Sequence, residues 1–173
     1  GGNAQSGKST VAAYLKWKLE RHQKKVLKIE LDNWILPEEK RGNCKNVYDR
    51  FQLDQIELDI QQILAGIKKK TARYPAHPDR PFTETEYQYT GQDVIIIEGV
   101  VGLSCEVLRN LNSLRIFVDI KPEEHKERIR KYYFWRGKTE AEIEQLYKER
   151  LEDEYKLIEK ERNLADLVIN SPV

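Results

Sequence analysis

The sequence predicts an α/β fold, a three-layer sandwich built around a mainly parallel sheet. A glycine-rich loop at residues 1–10 opens a helix, and apolar strand-like runs then alternate with helical runs along the chain. The most apolar run, residues 93–101, has the composition of a strand buried on both faces. Because parallel strands need crossover connections between them, this alternation favours a parallel sheet.

Composition and charge limit the possible functions. The chain has 173 residues, enough for one full core, and we predict a single domain over 1–173. Its 30 Lys and Arg residues nearly balance 29 Asp and Glu residues, so no overall field attracts nucleic acid or a membrane. No apolar run approaches the roughly 20 residues that span a bilayer, and Cys44 and Cys105 match no metal-binding spacing. We therefore expect a soluble cytoplasmic protein with reduced cysteines and a local polyanion site.

The loop at residues 1–10 matches the phosphate-binding pattern G-x-x-x-x-G-K-[S/T]. Glycines let successive N–H groups point inward at a phosphate chain, and the following helix adds the positive end of its dipole. Lys8 can reach the β- and γ-phosphates, and the Ser9 hydroxyl can ligate magnesium. The alternative, a chance Gly/Ser/Lys loop, is disfavoured by the apolar helical pattern over 10–19. The predicted nucleotide-binding residues are Gly2, Asn3, Ala4, Gln5, Ser6, Gly7, Lys8, Ser9 and Thr10.

A loop of this kind normally connects a strand to the helix, yet the sequence supplies no strand before Gly1. Such a strand would be central to the sheet. We therefore expect that the given sequence lacks the first residues of the native chain, with disorder or numbering as the alternatives.

Two acids follow predicted strands. Asp32 ends the strand predicted at 24–31, and Glu98 lies near the end of the buried run. The carboxyl ends of parallel strands face the ligand crevice, so both acids are expected at one site, and Asp32-Asn33-Trp34 is a candidate catalytic segment. A turn cap is the alternative for Asp32, and a structural hydrogen bond for Glu98. A magnesium role is favoured for Glu98 because burying an unpaired carboxylate is costly.

The middle of the chain predicts an exposed loop at 37–48, a helix at 53–70 and an excursion or hairpin at 71–90. The helix has one apolar face, which we assign to the core: Ile56, Ile60, Ile63, Leu64 and Ile67. Prolines exclude a long helix from the excursion. Its aromatic and polar side chains suit a planar ligand, although His77 alone is more simply a surface residue: Tyr74, His77, Arg80, Tyr87 and Tyr89.

The last third predicts a strand at 114–120, helices from Pro122 onward and a strand at 165–170. A basic run in the first of these helices is usually a solvated face. Because Arg136-Gly137-Lys138 follows that helix, residues 131–139 are also a candidate phosphate-clamping lid. Thr139 and Glu142 have capping-box spacing, which predicts a helix over 139–162. That helix could pack within the domain, which we favour, or against a second subunit. The sequence therefore leaves the oligomeric state open.

The motifs together resemble the uridine kinase (uridine-cytidine kinase) branch of the P-loop kinases, which also holds phosphoribulokinase-like and pantothenate kinase-like enzymes. The similarity extends over nearly the whole chain in order and spacing. The matching segments are GNAQSGKST, Asp32-Asn33-Trp34, Tyr48-Asp49, VIIIEG, IFVD, Arg136-Gly137-Lys138 and ADLVI at 165–169.

This resemblance implies a P-loop kinase that uses ATP and Mg²⁺ to phosphorylate a small-molecule hydroxyl, with the 5′-hydroxyl of uridine or cytidine favoured. It makes Asp32 the base and Asp32, Glu98 and Ser9 the magnesium site. The candidate catalytic residues are Lys8, Asp32 and Arg136. The candidate acceptor and lid contacts are Asp49 for the ribose, Tyr74, His77 and Arg80 in the excursion, and Lys131 and Lys138 in the lid.

Several departures from the family pattern keep other functions open. Lysine replaces arginine at two lid positions, Arg50-Phe51 stands where the family has His-Pro, and Trp34 replaces an aromatic pair. The alternatives are a kinase of the same fold for pantothenate, glycerate, a sugar phosphate or nicotinamide riboside, or a nucleotide-dependent switch. The sequence lacks the Asn-Lys-x-Asp guanine signature, which disfavours a GTPase.

Overall fold

A computed structural model of the chain describes residues 1–74, 83–111 and 113–171. The helices are α1 (Lys8–Arg21), α2 (Leu53–Leu64), α3 (Glu106–Arg109), α4 (Pro122–Trp135), α5 (Glu140–Arg150) and α6 (Lys156–Lys160). The strands are β1 (Val26–Glu30), β2 (Lys69–Arg73), β3 (Thr83–Tyr87), β4 (Val94–Glu98), β5 (Ile116–Asp119) and β6 (Leu167–Asn170).

Strand pairing confirms the α/β prediction. β1 pairs with β4 and β5 with β6, both in parallel, whereas β2 and β3 form an antiparallel pair. The register of the first pair sets Glu30 opposite Glu98, so the chain segments that follow these residues leave the sheet at the same edge. Gly1 lies alongside β5, with its amino group donating to the Ile116 carbonyl at 2.8 Å. The phosphate-binding loop therefore starts beside β5.

The main core lies between α2, β1 and the turn that follows β4. Its fully buried members include Ile29, Leu31, Ile56, Ile60, Ile63, Val101, Phe117 and Ile158. A smaller cluster joins α4 to α5 and the turn after α5, through Ile129, Tyr133, Ile143 and Tyr155. The candidate lid at 131–139 is therefore anchored by this smaller cluster through Tyr133.

The helix predicted at 53–70 is too long. α2 ends at Leu64, and Gly66 adopts a φ of +84°, a left-handed conformation that commonly terminates helices. Residues beyond it belong to β2, which pairs with β3. Ile67, predicted in the core, is 52% exposed, whereas Ile56 and Ile60 are buried as predicted. Pairing with a distant strand overrode the local helical pattern.

The strand predicted at 93–101 is shorter and less buried than expected. β4 spans Val94–Glu98, and its first four residues are half-buried instead of buried on both faces. Only Glu98, at its carboxyl end, is buried.

The helix predicted at 139–162 is helical but changes type. The α5 helix is followed by a π-helical turn (Leu151–Tyr155), α6 and a 3-10 turn (Glu161–Leu164). The Asp153 carbonyl in the π turn accepts a hydrogen bond from the Val47 N–H at 2.9 Å, and Arg50 pairs with the Asp153 and Glu154 carboxylates. These contacts join the π turn to residues 47–50.

The capping box of α5 is present as predicted. The Thr139 hydroxyl accepts from the Glu142 N–H, and the Glu142 carboxylate accepts from the Thr139 N–H at 2.7 Å. We expect Thr139→Ala to lower the free energy of unfolding by about 1 kcal/mol, since the Glu142 N–H loses its acceptor. Urea denaturation measures this, with Thr139→Ser as the control that keeps the hydroxyl. Equal stability of the two variants would contradict it.

Candidate active site

The loop before α1 has the backbone of an anion cradle. Gly2 and Gly7 have φ values of +131° and +91°, and Gln5, at +59°, is also left-handed. A Cβ on Gly2 would lie 2.5 Å from the Val118 carbonyl oxygen, so only glycine lets the loop pass this close to β5. These conformations curl the loop around the amino end of α1.

A cavity of about 180 Å³ lies at this helix end. It is lined by Ala4, Gln5, Gly7, Lys8, Ser9, Thr10, Asp32 and Val100. No acid occupies the first turn of α1, so the positive end of the helix dipole is not neutralised there. Lys8 is 7% exposed, with its Nζ 3.4 Å from the Asn3 carbonyl oxygen. The loop side of the cavity therefore has the features of an anion site, and Asp32 lies on its other side.

Several buried polar atoms at this site have no hydrogen-bond partner among the described residues: Asn3 Oδ1, Ser6 Oγ and Asp32 Oδ1. Unpaired buried polar atoms are uncommon and costly. Of these, Asp32 lines the cavity, where a polar ligand could supply its missing partner.

The acids of the site interact with Lys8 and Ser9. Burial raises the pKa of Glu98, and the negative charge of Asp32 adds to this, whereas the Lys8 charge and a hydrogen bond from Ser9 oppose it. No three His, Cys, Asp or Glu side chains within the described ranges cluster to hold a metal alone. Mg²⁺ in phosphoryl transfer needs only one or two carboxylates beside substrate phosphates. Ser9, Asp32 and Glu98 fit that donor set.

Asp32 lies in a 3-10 turn (Leu31–Trp34) that contacts two other elements. The Trp34 indole donates to the Asp59 carboxylate of α2 at 2.8 Å, and its ring stacks on Tyr87 of β3. Asn33 donates to the Tyr87 hydroxyl at 2.6 Å and accepts from the Tyr74 N–H at 2.9 Å. These contacts fix the turn between α2 and the hairpin.

Sequence reasoning did not assign Asp59 to the site. Its carboxylate is 11% exposed and also pairs with Lys69 at 2.8 Å. Burial raises the pKa of Asp59, but hydrogen bonds from Lys69, Trp34 and Gln55 outweigh it, so the net shift is downward. An acid on the otherwise apolar face of α2 was the available signal, since such an acid needs a partner.

The candidate lid residues occupy different environments. Arg136 donates to the Tyr132 hydroxyl at 3.1 Å and also hydrogen-bonds Tyr74, so it faces the hairpin. Lys131 is 73% exposed and pairs with Glu127 on its own helix. Lys138 lies beside α5 on a separate shallow surface. Arg136 is thus the lid cation that the structure brings toward the acceptor side.

The other predicted acceptor contacts that the structure describes are Asp49 and Tyr74. Asp49 is exposed, and its carboxylate accepts from the Lys45 N–H at 2.9 Å, which caps a turn of the 37–48 loop. His77 and Arg80 lie outside the described residues. Tyr74 is half-buried beside Arg41, whose guanidinium lies 6.0 Å above its ring.

A glycine-rich loop that opens a helix, with a buried lysine and two acids at strand ends, defines the class of P-loop phosphotransferases. The sequence profile of the Phosphoribulokinase / Uridine kinase family matches residues 1–172. The chain belongs to this family, which makes it a small-molecule kinase by class.

In the described part of the chain, no helix has the length and apolar character to cross a bilayer.

Individual relatives agree with this family. The uridine kinase of Ligilactobacillus salivarius is 27% identical over 177 residues, covering 97% of this chain and 81% of the relative. The uridine kinase of Brevibacillus brevis is 29% identical, and that match covers 68% of this chain and 56% of the relative. The solved phosphoribulokinase from Rhodobacter spheroides has a TM-score of 0.73 at 19% identity, covering 98% of this chain and 68% of that one. The last likeness shows the fold alone.

Gly99 controls how closely the end of β4 approaches the turn that carries Asp32. A Cβ at this position would lie 2.6 Å from the Leu31 Cβ. We expect Gly99→Ala to lower the free energy of unfolding by about 1–3 kcal/mol, since buried Leu31 must shift. Gly42→Ala is the matched control, because nothing lies within 4 Å of its Cβ position. If urea denaturation shows that Gly99→Ala loses no more unfolding free energy than Gly42→Ala, the result would contradict this packing.

Proposed function

We propose that the protein is a cytoplasmic, Mg²⁺- and ATP-dependent kinase that transfers the γ-phosphoryl group to a hydroxyl of a small molecule. The favoured acceptor is the 5′-hydroxyl of uridine or cytidine. The observation that carries the proposal is the cavity at the start of α1, where Lys8 and Ser9 meet Asp32 beside buried Glu98. No nucleic acid or membrane partner is needed for this reaction.

The chemistry is mainly positioning and charge neutralisation. The N–H groups of the loop and the Lys8 ammonium bind the β- and γ-phosphates. Ser9, Asp32 and Glu98 would hold Mg²⁺, which supplies charge neutralisation on the transferring group. Asp32 also orients the acceptor hydroxyl and accepts its proton, while Arg136 covers the transferring group from the lid.

Two aromatic side chains near Asp32 are consistent with a planar acceptor. Tyr74 is bonded through its N–H to Asn33, and the Tyr132 hydroxyl interacts electrostatically with Tyr74 and Asp32. Trp34 and Tyr87 are buried and support the turn that carries Asp32 from the core. The two uridine kinase relatives are consistent with a pyrimidine nucleoside.

One observation favours a different acceptor within the same reaction. Asp49, the proposed ribose contact, is exposed and bonded to the loop backbone, and Arg50 pairs with the π turn instead of facing Asp32. Pantothenate, glycerate, sugar phosphates and nicotinamide riboside are therefore retained as alternative acceptors, and a nucleotide-dependent switch remains the non-enzymatic alternative.

A coupled assay of ADP release tests the proposal, with ATP, Mg²⁺ and a panel of nucleosides and the alternative acceptors. We expect uridine or cytidine to stimulate turnover, and Asp32→Asn to lower kcat by about 10²–10⁴-fold because the acceptor hydroxyl loses its base. Lys8→Ala should lower turnover by at least about 100-fold through lost phosphate stabilisation.

The matched control is Asp54→Asn, which removes an exposed acid from α2 and should keep normal turnover. Near-normal kcat in Asp32→Asn would show that the assigned base is wrong. Stimulation by another member of the panel would keep the kinase and replace the acceptor. Nucleotide-dependent binding of a protein partner, with no phosphorylated product, would favour the switch.

A further inference from the structure

A histidine outside the proposed mechanism contacts the phosphate-binding loop. His125 lies on α4 and is 4% exposed. Its Nε2 lies 2.8 Å from the Ala4 carbonyl oxygen, and Ala4 lines the cavity at the start of α1. Because a carbonyl oxygen can only accept, Nε2 carries the proton and donates it. This bond joins two segments that are 121 residues apart in the chain.

The bond fixes one peptide unit of the loop. In a planar trans peptide the C=O and the next N–H point in opposite directions. Holding the Ala4 carbonyl toward His125 therefore turns the Gln5 N–H to the other side of the loop. That N–H makes no hydrogen bond to another described residue, and Gln5 lines the cavity. It is thus available to a phosphate oxygen.

This peptide unit needs such support. Gln5 has a φ of +59°, a left-handed conformation that a side chain with a Cβ disfavours. Rotation of the Ala4–Gln5 peptide would relieve the strain, and it would also turn the N–H away from the cavity. A hydrogen bond to the Ala4 carbonyl opposes that rotation.

The His125 ring is itself held firmly. Its edge packs on Tyr155 of the π turn, with the ring centroids 4.6 Å apart, and Tyr147 of α5 lies on another side at 6.4 Å. Burial lowers the pKa of His125, and the Lys8 and Arg128 charges add to this effect, while the bond to Ala4 opposes it. A neutral imidazole with its proton on Nε2 satisfies the loop without a further buried charge.

We propose that His125 is a positioning residue that orients the Ala4–Gln5 peptide of the loop for binding nucleotide phosphates. The role rests on the proposed function only in requiring that a nucleotide occupies the loop. It also links the loop to the lid, since α4 carries His125 near its start and ends next to Arg136.

Binding of a fluorescent ADP analogue with Mg²⁺ to the full chain tests this role without an acceptor. His125→Phe keeps a ring against Tyr155 but loses the donor, so we expect the Kd to rise about tenfold, as for one lost hydrogen bond. His125→Gln restores a donor, and its Kd should return to within about threefold of wild type. Ile129→Val is the control, because it shortens a buried side chain of α4 in the smaller core cluster without removing a hydrogen bond to the loop.

Each result decides the question. A folded His125→Phe with a wild-type Kd, or a His125→Gln as weak as His125→Phe, would overturn the role, as would an equal loss in Ile129→Val. If His125→Phe does not fold, His125→Gln decides: wild-type-like binding supports the role and tenfold weaker binding overturns it. Wild-type protein that binds no ADP would overturn the proposed function and this role together, whereas an unaffected His125→Phe overturns only the role.

Discussion

The buried charge of Lys8 is the constraint on which the rest of the site depends. Lys8 and Glu98 are 7% and 8% exposed, and neither charge is stable in a protein interior without an opposite one nearby. The Lys8 charge opposes the effect of burial on the pKa of Glu98, and Ser9 adds a hydrogen bond. The loop, α1 and β4 must therefore meet at one edge, which the parallel pairing of β1 with β4 provides. We propose that a polyanionic nucleotide with its metal completes this arrangement of charges.

Around that centre, side chains from distant elements hold the reactive segments in place. Asp59 of α2 and Tyr87 of β3 fix the turn that carries Asp32, and His125 of α4 fixes the loop. Each of these bonds is a side-chain contact between elements far apart in the chain. The hairpin and α4 thus support the polar groups of the site.

The sequence predicted the parts of this arrangement that depend on local patterns. The loop, the capping box at Thr139 and the order of strands and helices are short-range features, and the structure contains them. Helix ends were less predictable, because Lys69 and Lys70 continue a helical pattern until their pairing with β3 is known. The contacts of Asp59 and His125 could not be predicted, since they join residues 25 and 121 positions apart. Family resemblance assigned a ribose contact to Asp49, which stays a prediction; its carboxylate accepts from the Lys45 N–H.

The most direct test of the account is a crystal structure of the protein with Mg²⁺ and a non-hydrolysable ATP analogue. We predict that the β- and γ-phosphates lie against the loop N–H groups and Lys8. Mg²⁺ should lie about 2.0–2.1 Å from the Ser9 hydroxyl oxygen, with Asp32 and Glu98 bound to it directly or through one water. Phosphates bound away from the loop, or a metal ion that contacts neither acid even through water, would contradict the account.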